Sequence, residues 1–302
     1  MFTGKFTKGT LTVLTLNILG RLPLRCCRWL GHGIGQLSYW FKTKSYRITV
    51  ANIAYCLPEL NAQQQQQLVR NSLVHTATTM IEMAAIWHKP YTWMKRQITS
   101  IKGEELLTPT ADDQGIIIIA PHIGNWEVLG LYLPSVQHIV SLYQPPKMPE
   151  LEPLIRAARE KTGGAVAATN RRGVSQILKH LRNGGMTGIL PDQIPNDINS
   201  GIHAPFFGKP ALTMTLITNL IQKTQCRAVC GYAKRVDNGF ELVFVPANEA
   251  IYSEDIHTSV LGLNLSIEAC VRDIPEQYQW EYKRFRKQPK DMKNIYRRPR
   301  ST

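Results

Sequence analysis

Acidic residues are missing from the first 58 positions of this 302-residue chain, which hold eight Lys and Arg, and Asp291 alone stands against nine Lys and Arg in residues 283–302. The net charge of +14 is therefore carried by the two ends, and the centre nets to about −2. Cysteine is sparse: Cys26, Cys27, Cys56, Cys226, Cys230 and Cys270 form no C-x2-C pair, which excludes a disulfide framework and suits a reduced compartment. Cys226 and Cys230 stand four apart with no second ligand pair after them, so no metal site is expected. There is no Walker loop, no H-E-x-x-H and no G-x-G-x-x-G, and no cofactor is expected. Internal repeats and low-complexity linkers are absent too.

Long hydrophobic runs are also lacking. The uncharged stretches Gly9–Gly20 and Trp29–Phe41 have 12 and 13 residues, whereas crossing about 30 Å of hydrocarbon takes about 20. Pro23 and the arginines Arg21, Arg25 and Arg28 suit a helix lying in the plane of a membrane, or partly inserted, better than one crossing it. Leu11, Leu14, Leu16, Trp29 and Trp40 would supply its apolar and aromatic face, and the arginines would meet anionic head groups. Residues 1–45 therefore read as a basic, aromatic membrane anchor. No small-residue cleavage site follows the apolar stretch, so a secretory signal peptide is not expected, and the basic flanks favour the cytoplasmic side. Solvated tails or nucleic-acid contacts would also use such charge; no zinc-finger, RNP-type or basic-zipper pattern accompanies it, and no nucleic-acid partner is expected.

What the chain does have is alternation. Residues 46–302 read as a single α/β domain with a basic C-terminal tail. Ala51–His88 is helical in pattern, with Gln63–Gln67 as its polar opening. Strands at Gly115–Pro121, His138–Tyr143, Ala165–Thr169 and Met186–Leu190 alternate with helices from Asn125 and at Pro149–Lys161 and Gly173–Arg182. A helix Ala211–Lys223, strands Arg227–Val236 and Phe240–Pro246, and a helix near Asp255–Arg272 follow. The pattern predicts a mostly parallel central sheet flanked by helices, with an N-terminal membrane-associated helix.

Ile116–Ile119 run as an apolar strand into Ala-Pro121-His122-Ile-Gly124-Asn125-Trp-Glu127. Pro121 and Gly124 punctuate a turn, and Asn125 is a good N-cap for the helix after it. On one helix, residues five apart lie about 140° apart, so His122 and Glu127 meet only through that turn. The pair reads either as a base with the carboxylate that orients it, or as a turn histidine beside an acid favoured by a helix dipole. Sites in open α/β sheets gather beyond the carboxyl ends of strands; His122, Asn170-Arg171-Arg172 and Asp192 each follow an expected strand. The long polar segment Asp192–His203 has the character of a functional loop.

His122-x4-Glu127 resembles the H-x4-D/E signature of glycerolipid and lipid A acyltransferases. Pro205-Phe206-Phe207-Gly208-Lys209-Pro210 and Pro275-Glu276-Gln277-Tyr278-Gln279-Trp280-Glu281-Tyr282-Lys283-Arg284-Phe285 resemble, in order, further blocks of the lipid A late acyltransferase family. Asp192-Gln193, Arg156 and Arg159 look like family positions as well. The resemblance implies an inner-membrane enzyme, on the cytoplasmic face, that moves a fatty acyl chain from acyl carrier protein to a hydroxyacyl chain of a lipid A precursor. Members usually carry one N-terminal membrane helix, from which this chain departs. A transferase of the same build acting on another glycolipid or a glycerolipid is the alternative, and a non-catalytic surface-binding protein is the other class.

On this reading His122 is the general base and Glu127 its orienter. Backbone N–H groups around Gly124 and Asn125 are the expected oxyanion donors, with Arg159 as another. Arg156 and Arg159, three apart on a helix, share a face suited to a phosphorylated acceptor or to an ion pair with Glu127 or Asp192. Asp192 pairs with an arginine or holds its loop. Phe206, Phe207 and Lys209 are the further substrate-binding candidates, the two rings and Trp126 lining an acyl channel or packing in the core. Tyr278, Trp280 and Tyr282 wedge the terminal segment onto the sheet, and Arg284 and Arg286 approach the membrane. Ser175 and Ser200 lack a G-x-S-x-G elbow, so a direct ternary reaction is preferred to a covalent intermediate.

Overall fold

The computed structural model describes residues 7–108, 115–143, 146, 148–290, 292 and 294–296; residues 291, 293 and 297–302 of the basic tail lie outside them. The chain begins with helices α1 (Lys8–Gly20), α2 (Leu24–Trp40), α3 (Lys44–Cys56), α4 (Ala62–His88) and α5 (Tyr91–Lys95), followed by β1 (Ile98–Lys102). Then come β2 (Ile116–Ile119), α6 (Trp126–Tyr132), β3 (Val140–Tyr143), α7 (Glu152–Glu160), β4 (Ala165–Ala168), α8 (Arg171–Arg182) and β5 (Met186–Ile189). The last part holds β6 (Gly201–Phe206), β7 (Lys209–Met214), α9 (Leu216–Thr224), β8 (Arg227–Val236), β9 (Gly239–Pro246) and α10 (Ile256–Asp273).

The central sheet has the order β1-β9-β8-β2-β5. It is parallel except between β8 and β9. A parallel bridge from Ile139 to Met186 brings the parallel pair β3-β4 beside β5. All four isoleucines of β2 are fully buried, and their alternation feeds two cores. Ile117 and Ile119 pack with residues of α3, α4, α9 and α10, whereas Ile116 and Ile118 pack with Val128, Leu129 and Leu131 of α6. A strand covered on both faces has no polar side, which is why its sequence is a continuous apolar run.

The expected helix Ala51–His88 is two helices, because Pro58 cannot continue the first. Asn61 then starts α4 with a capping box to Gln64, so the glutamine run is a first turn. The expected helix Ala211–Lys223 begins only at Leu216; Lys209–Met214 instead pairs antiparallel with Gly201–Phe206. Phe207 and Gly208 turn that hairpin with φ of 51° and 67°, the left-handed geometry a two-residue hairpin turn demands. The last three residues of the expected polar loop, Gly201–His203, thus belong to a strand.

Helix α2 lies along α4 because Gly31 and Gly35 leave room for it: a Cβ on either would sit 2.3 Å from the Cα of Thr78 or 2.4 Å from that of Val74. The opposite face of α2 leaves Trp29, Leu37, Trp40 and Phe41 exposed, and α1 exposes Leu11, Leu14 and Ile18; Leu16 is half-buried. Among the described residues, no helix is long and apolar enough to cross a membrane. Arg21 and Arg25 are exposed, but Arg28 departs from the expected anchor. It points inward, donating to Glu82 Oε1 at 2.8 Å and to the carbonyls of Val236, Asp237 and Gly239 at 2.6–2.7 Å. Arg284 does not approach a surface either. It is buried, with Nη1 on the Leu212 carbonyl at 2.5 Å and Nη2 on Thr213 Oγ1 at 2.7 Å. Tyr278 and Trp280 do pack into the core.

Candidate active site

Strands β2 and β5 are in register with Ile119 opposite Ile189, and each runs on through a proline to a polar residue: Ala120-Pro121-His122 and Leu190-Pro191-Asp192. Two parallel strands ending alike deliver their third residues to one place. Asp192 Oδ1 lies 2.8 Å from His122 Nδ1, and Oδ2 accepts the His122 backbone N–H at 3.0 Å. Burial pushes the Asp192 carboxyl up, but the His122 ring, its two hydrogen bonds and Arg284 outweigh that and hold it below the usual carboxylate range. A carboxylate at Nδ1 fixes the tautomer in which Nδ1 carries the proton and Nε2 the lone pair. The Trp126 ring meets the imidazole edge-on at 4.9 Å.

Glu127 does not orient that ring. Its Oε1 accepts from Arg159 Nη2 at 3.1 Å and its Oε2 from Trp87 Nε1 at 2.8 Å. Sitting in the first turn of α6, it is turned toward α4 and α7, whereas the His122 ring is turned toward β5. Arg159 thus takes one of the two carboxylates expected for it. Arg156 is exposed and paired along its own helix with Glu152 and Glu160 at 3.0 and 3.6 Å. Both guanidinium groups lie over the Tyr143 ring, at 5.7 and 5.4 Å, as residues three apart on one face should.

The expected backbone oxyanion donors are already committed. Gly124 N–H donates to the Gln277 carbonyl at 3.0 Å and Asn125 N–H to that of Ala233 at 2.9 Å. Those bonds pin the turn against the segment after α10 and against β8, the latter so closely that a Cβ on Gly124, whose φ is 58°, would stand 1.9 Å from the Ala233 carbonyl oxygen. Asn125 occupies the N-cap position of α6 without a capping bond. Its Nδ2 donates to Glu82 at 3.1 Å, drawn by a buried charge cluster that sequence reasoning missed. Glu82 accepts from Arg235 at 2.6 Å and from Arg28 at 2.8 Å, and Arg235 also donates to Thr79 Oγ1 at 2.6 Å. Burial pushes the Glu82 carboxyl up, and the two arginines bring it below its ordinary value. Nothing local links residues 153 apart in the chain, so no spacing signal announces this cluster.

Two cavities share Trp126. The larger lies between α6, β3, β4 and β5, with apolar walls from Leu129, Leu133, Ile139 and Leu142 and a charged wall from Glu127 and Arg159. The smaller is lined by His122, Thr76, Gln279 and Glu281. Phe206 and Phe207 line neither; they pack in the core with Tyr278, Trp280 and Phe285. Lys209 lies over the Tyr55 ring at 5.1 Å.

The model of the bacterial lipid A biosynthesis acyltransferase family matches residues 3–287. The chain is 22% identical over 292 residues to the lipid A biosynthesis lauroyltransferase of Escherichia coli strain K12, covering 95% of this chain and 94% of that one. It is 25% identical over 292 residues to the lipid A biosynthesis acyltransferase of Haemophilus influenzae, with 95% and 89% covered. To the palmitoleoyltransferase of the same Escherichia coli strain it is 23% identical over 290 residues, with 95% and 92% covered.

Proposed function

This chain belongs to the bacterial lipid A biosynthesis acyltransferase family and is an acyltransferase, and on that premise we propose that it transfers a fatty acyl chain from acyl carrier protein to a hydroxyacyl chain of a lipid A precursor. The observation that carries the mechanism is the His122–Asp192 pair, with Nδ1 on a buried carboxylate and Nε2 left as the basic nitrogen. Nε2 takes the proton of the acceptor hydroxyl as its oxygen attacks the thioester carbonyl carbon. Asp192 holds the tautomer and balances the imidazolium that forms. The carbonyl π electrons move to oxygen, the tetrahedral intermediate collapses, and the departing thiolate takes the proton back from Nε2.

Glu127 and Arg159 act together at the charged wall of the larger cavity. The Arg159 side chain is 38% exposed while Glu127 anchors it, so its remaining N–H groups are available to acceptor phosphate or to developing negative charge. The apolar walls of that cavity suit the donor's acyl chain. The exposed apolar and aromatic faces of α1 and α2, with Arg21 and Arg25, suit docking in the plane of the anionic cytoplasmic leaflet of the inner membrane.

The test is transfer of a labelled acyl group from acyl carrier protein to a detergent-dispersed lipid A precursor by the purified full chain and by His122→Ala. Transfer by the unaltered chain alone is the expected result. Equal transfer by His122→Ala overturns the base; transfer only to glycerolipid or to another glycolipid moves the acceptor.

A further inference from the structure

With the Gly124 and Asn125 N–H groups committed to carbonyls, the turn that carries His122 has no backbone donor at those positions for the oxyanion. A side-chain donor stands beside the ring instead. The amide nitrogen of Gln193, the residue after Asp192, lies 3.2 Å from His122 Nε2 and 3.2 Å from Gln279 Oε1. Because Asp192 fixes the proton on Nδ1, Nε2 is an acceptor, and the amide must present N–H to it; the carbonyl oxygen of Gln279 requires the same orientation. One N–H therefore rests on the lone pair that an acceptor hydroxyl has to reach, and the other is held by Gln279.

The amide is pre-positioned from both sides. Asp192 before it is fixed by its two bonds to His122, and the Ile194 backbone N–H after it donates to the Tyr282 hydroxyl at 2.9 Å. Gln279 is tied to the same turn, its backbone N–H donating to the His122 carbonyl at 3.1 Å. Glu281 closes the smaller cavity next to it, accepting from Thr76 at 2.9 Å. These bonds hold the residues on either side of Gln193, so that only its amide has to turn between Nε2 and a developing oxyanion beside it.

We propose that Gln193 is an oxyanion donor for acyl transfer. Its N–H caps His122 Nε2 in the free enzyme, and when the acceptor hydroxyl takes that nitrogen the same N–H turns to the carbonyl oxygen of the thioester. As the new C–O bond forms and the hydroxyl proton passes to Nε2, the carbonyl electrons settle on the oxygen that Gln193 faces. Collapse returns them to the carbonyl and expels the thiolate. Gln279 is the positioning residue, acting through Gln193. The inference rests on His122 being the base.

Gln193→Met keeps the length of the side chain without charge or N–H, and Gln193→Glu keeps its shape and replaces the N–H groups by oxygen. Both are measured with His122→Ala on the purified full chain in detergent, as kcat, acceptor KM and the pH profile of kcat/KM, after circular dichroism and melting have established folding. Loss of one N–H donor is expected to lower kcat by about 10²–10³-fold, with acceptor KM within about twofold. Asp192 and Glu281 are the carboxylates facing the ring. With these unaltered, removing the neutral donor from Nε2 moves the acid limb of the profile to higher pH, and moves it further in Gln193→Glu, where a third carboxylate stabilises the imidazolium. A structural role for Gln193 moves neither limb. Folded Gln193→Met with an unaltered kcat and profile, while His122→Ala is inactive, overturns the assignment of Gln193 alone; an active His122→Ala removes the base and this inference with it.

Discussion

His122 and Asp192 each stand three residues beyond a matched pair, Ile119 opposite Ile189, on neighbouring parallel strands, and the carboxylate meets the ring nitrogen at 2.8 Å. The partnership is set by sheet register. If Asp192 holds the tautomer, Asp192→Asn leaves the shape intact while allowing the wrong one. A loss of about 10⁴-fold in kcat accompanies the same change in a serine-protease triad, and a drop of at least 10²-fold is expected here, with little change in acceptor KM. Wild-type turnover by a folded Asp192→Asn chain would return this residue to loop support.

Glu127 and Arg159 should behave as one unit. Arg159→Ala is expected to raise acceptor KM or lower kcat, and Glu127→Ala to do the same by releasing Arg159. The double variant should be little worse than either single one, a coupling that a double-mutant cycle on kcat/KM reads directly. Additive losses would mean that the two act separately.

Glu82 supports the turn through Asn125 while buried between Arg28 and Arg235. Glu82→Gln leaves two guanidinium groups without their counter-charge and should cost about 3–5 kcal/mol in denaturant unfolding. Because the folded carboxyl lies below its unfolded value, its contribution is complete at neutral pH. It is lost only as pH falls from about 4 downward through the folded value, so the gap in stability between the unaltered chain and Glu82→Gln should narrow in acid. A gap independent of pH would exclude the ionic role.

Gly188 of β5 lines the larger cavity, and a Cβ placed on it meets only ordinary contacts, at 3.6 Å from Ile139 and 3.7 Å from Ser141. Gly188→Ala should therefore be tolerated by the fold while narrowing the cavity. If the acyl chain lies there, chain-length competition assays should show preference moving to shorter donors; an unchanged preference would put the acyl chain elsewhere.

Trp29, Trp40 and Phe41 are 76%, 65% and 77% exposed. Burial of such rings stabilises by about 1.5–3 kcal/mol each, so changing Trp29 and Trp40 to Ser should weaken sedimentation with anionic vesicles by at least about tenfold while leaving the melting temperature unchanged. Arg25→Gln should act chiefly at low salt, where head-group attraction is least screened. Undiminished vesicle binding by the double variant would show that these rings do not enter the interface.

Periodicity and punctuation alone made the alternating parallel sheet legible, because a strand buried on both faces must be apolar throughout and Ile116–Ile119 are. The same signals placed His122 beyond a strand end and Asn125 at the N-cap position of α6, since turns and helix starts are local chemistry. The hairpin at Phe207-Gly208 escaped because Ala211–Met214 lacks a pattern that separates strand from helix over so few residues. The charged partners were decided only by the tertiary structure. Glu127 was nearest to His122 in the chain, yet the direction in which α6 leaves the turn gave it to Arg159 and Trp87, and strand register gave His122 to Asp192. Arg28 reads as surface charge until α2 docks through Gly31 and Gly35 and carries it to Glu82. Residue types and spacing determine which groups a chain brings to a region; long-range packing, which no local pattern encodes, determines which of them touch.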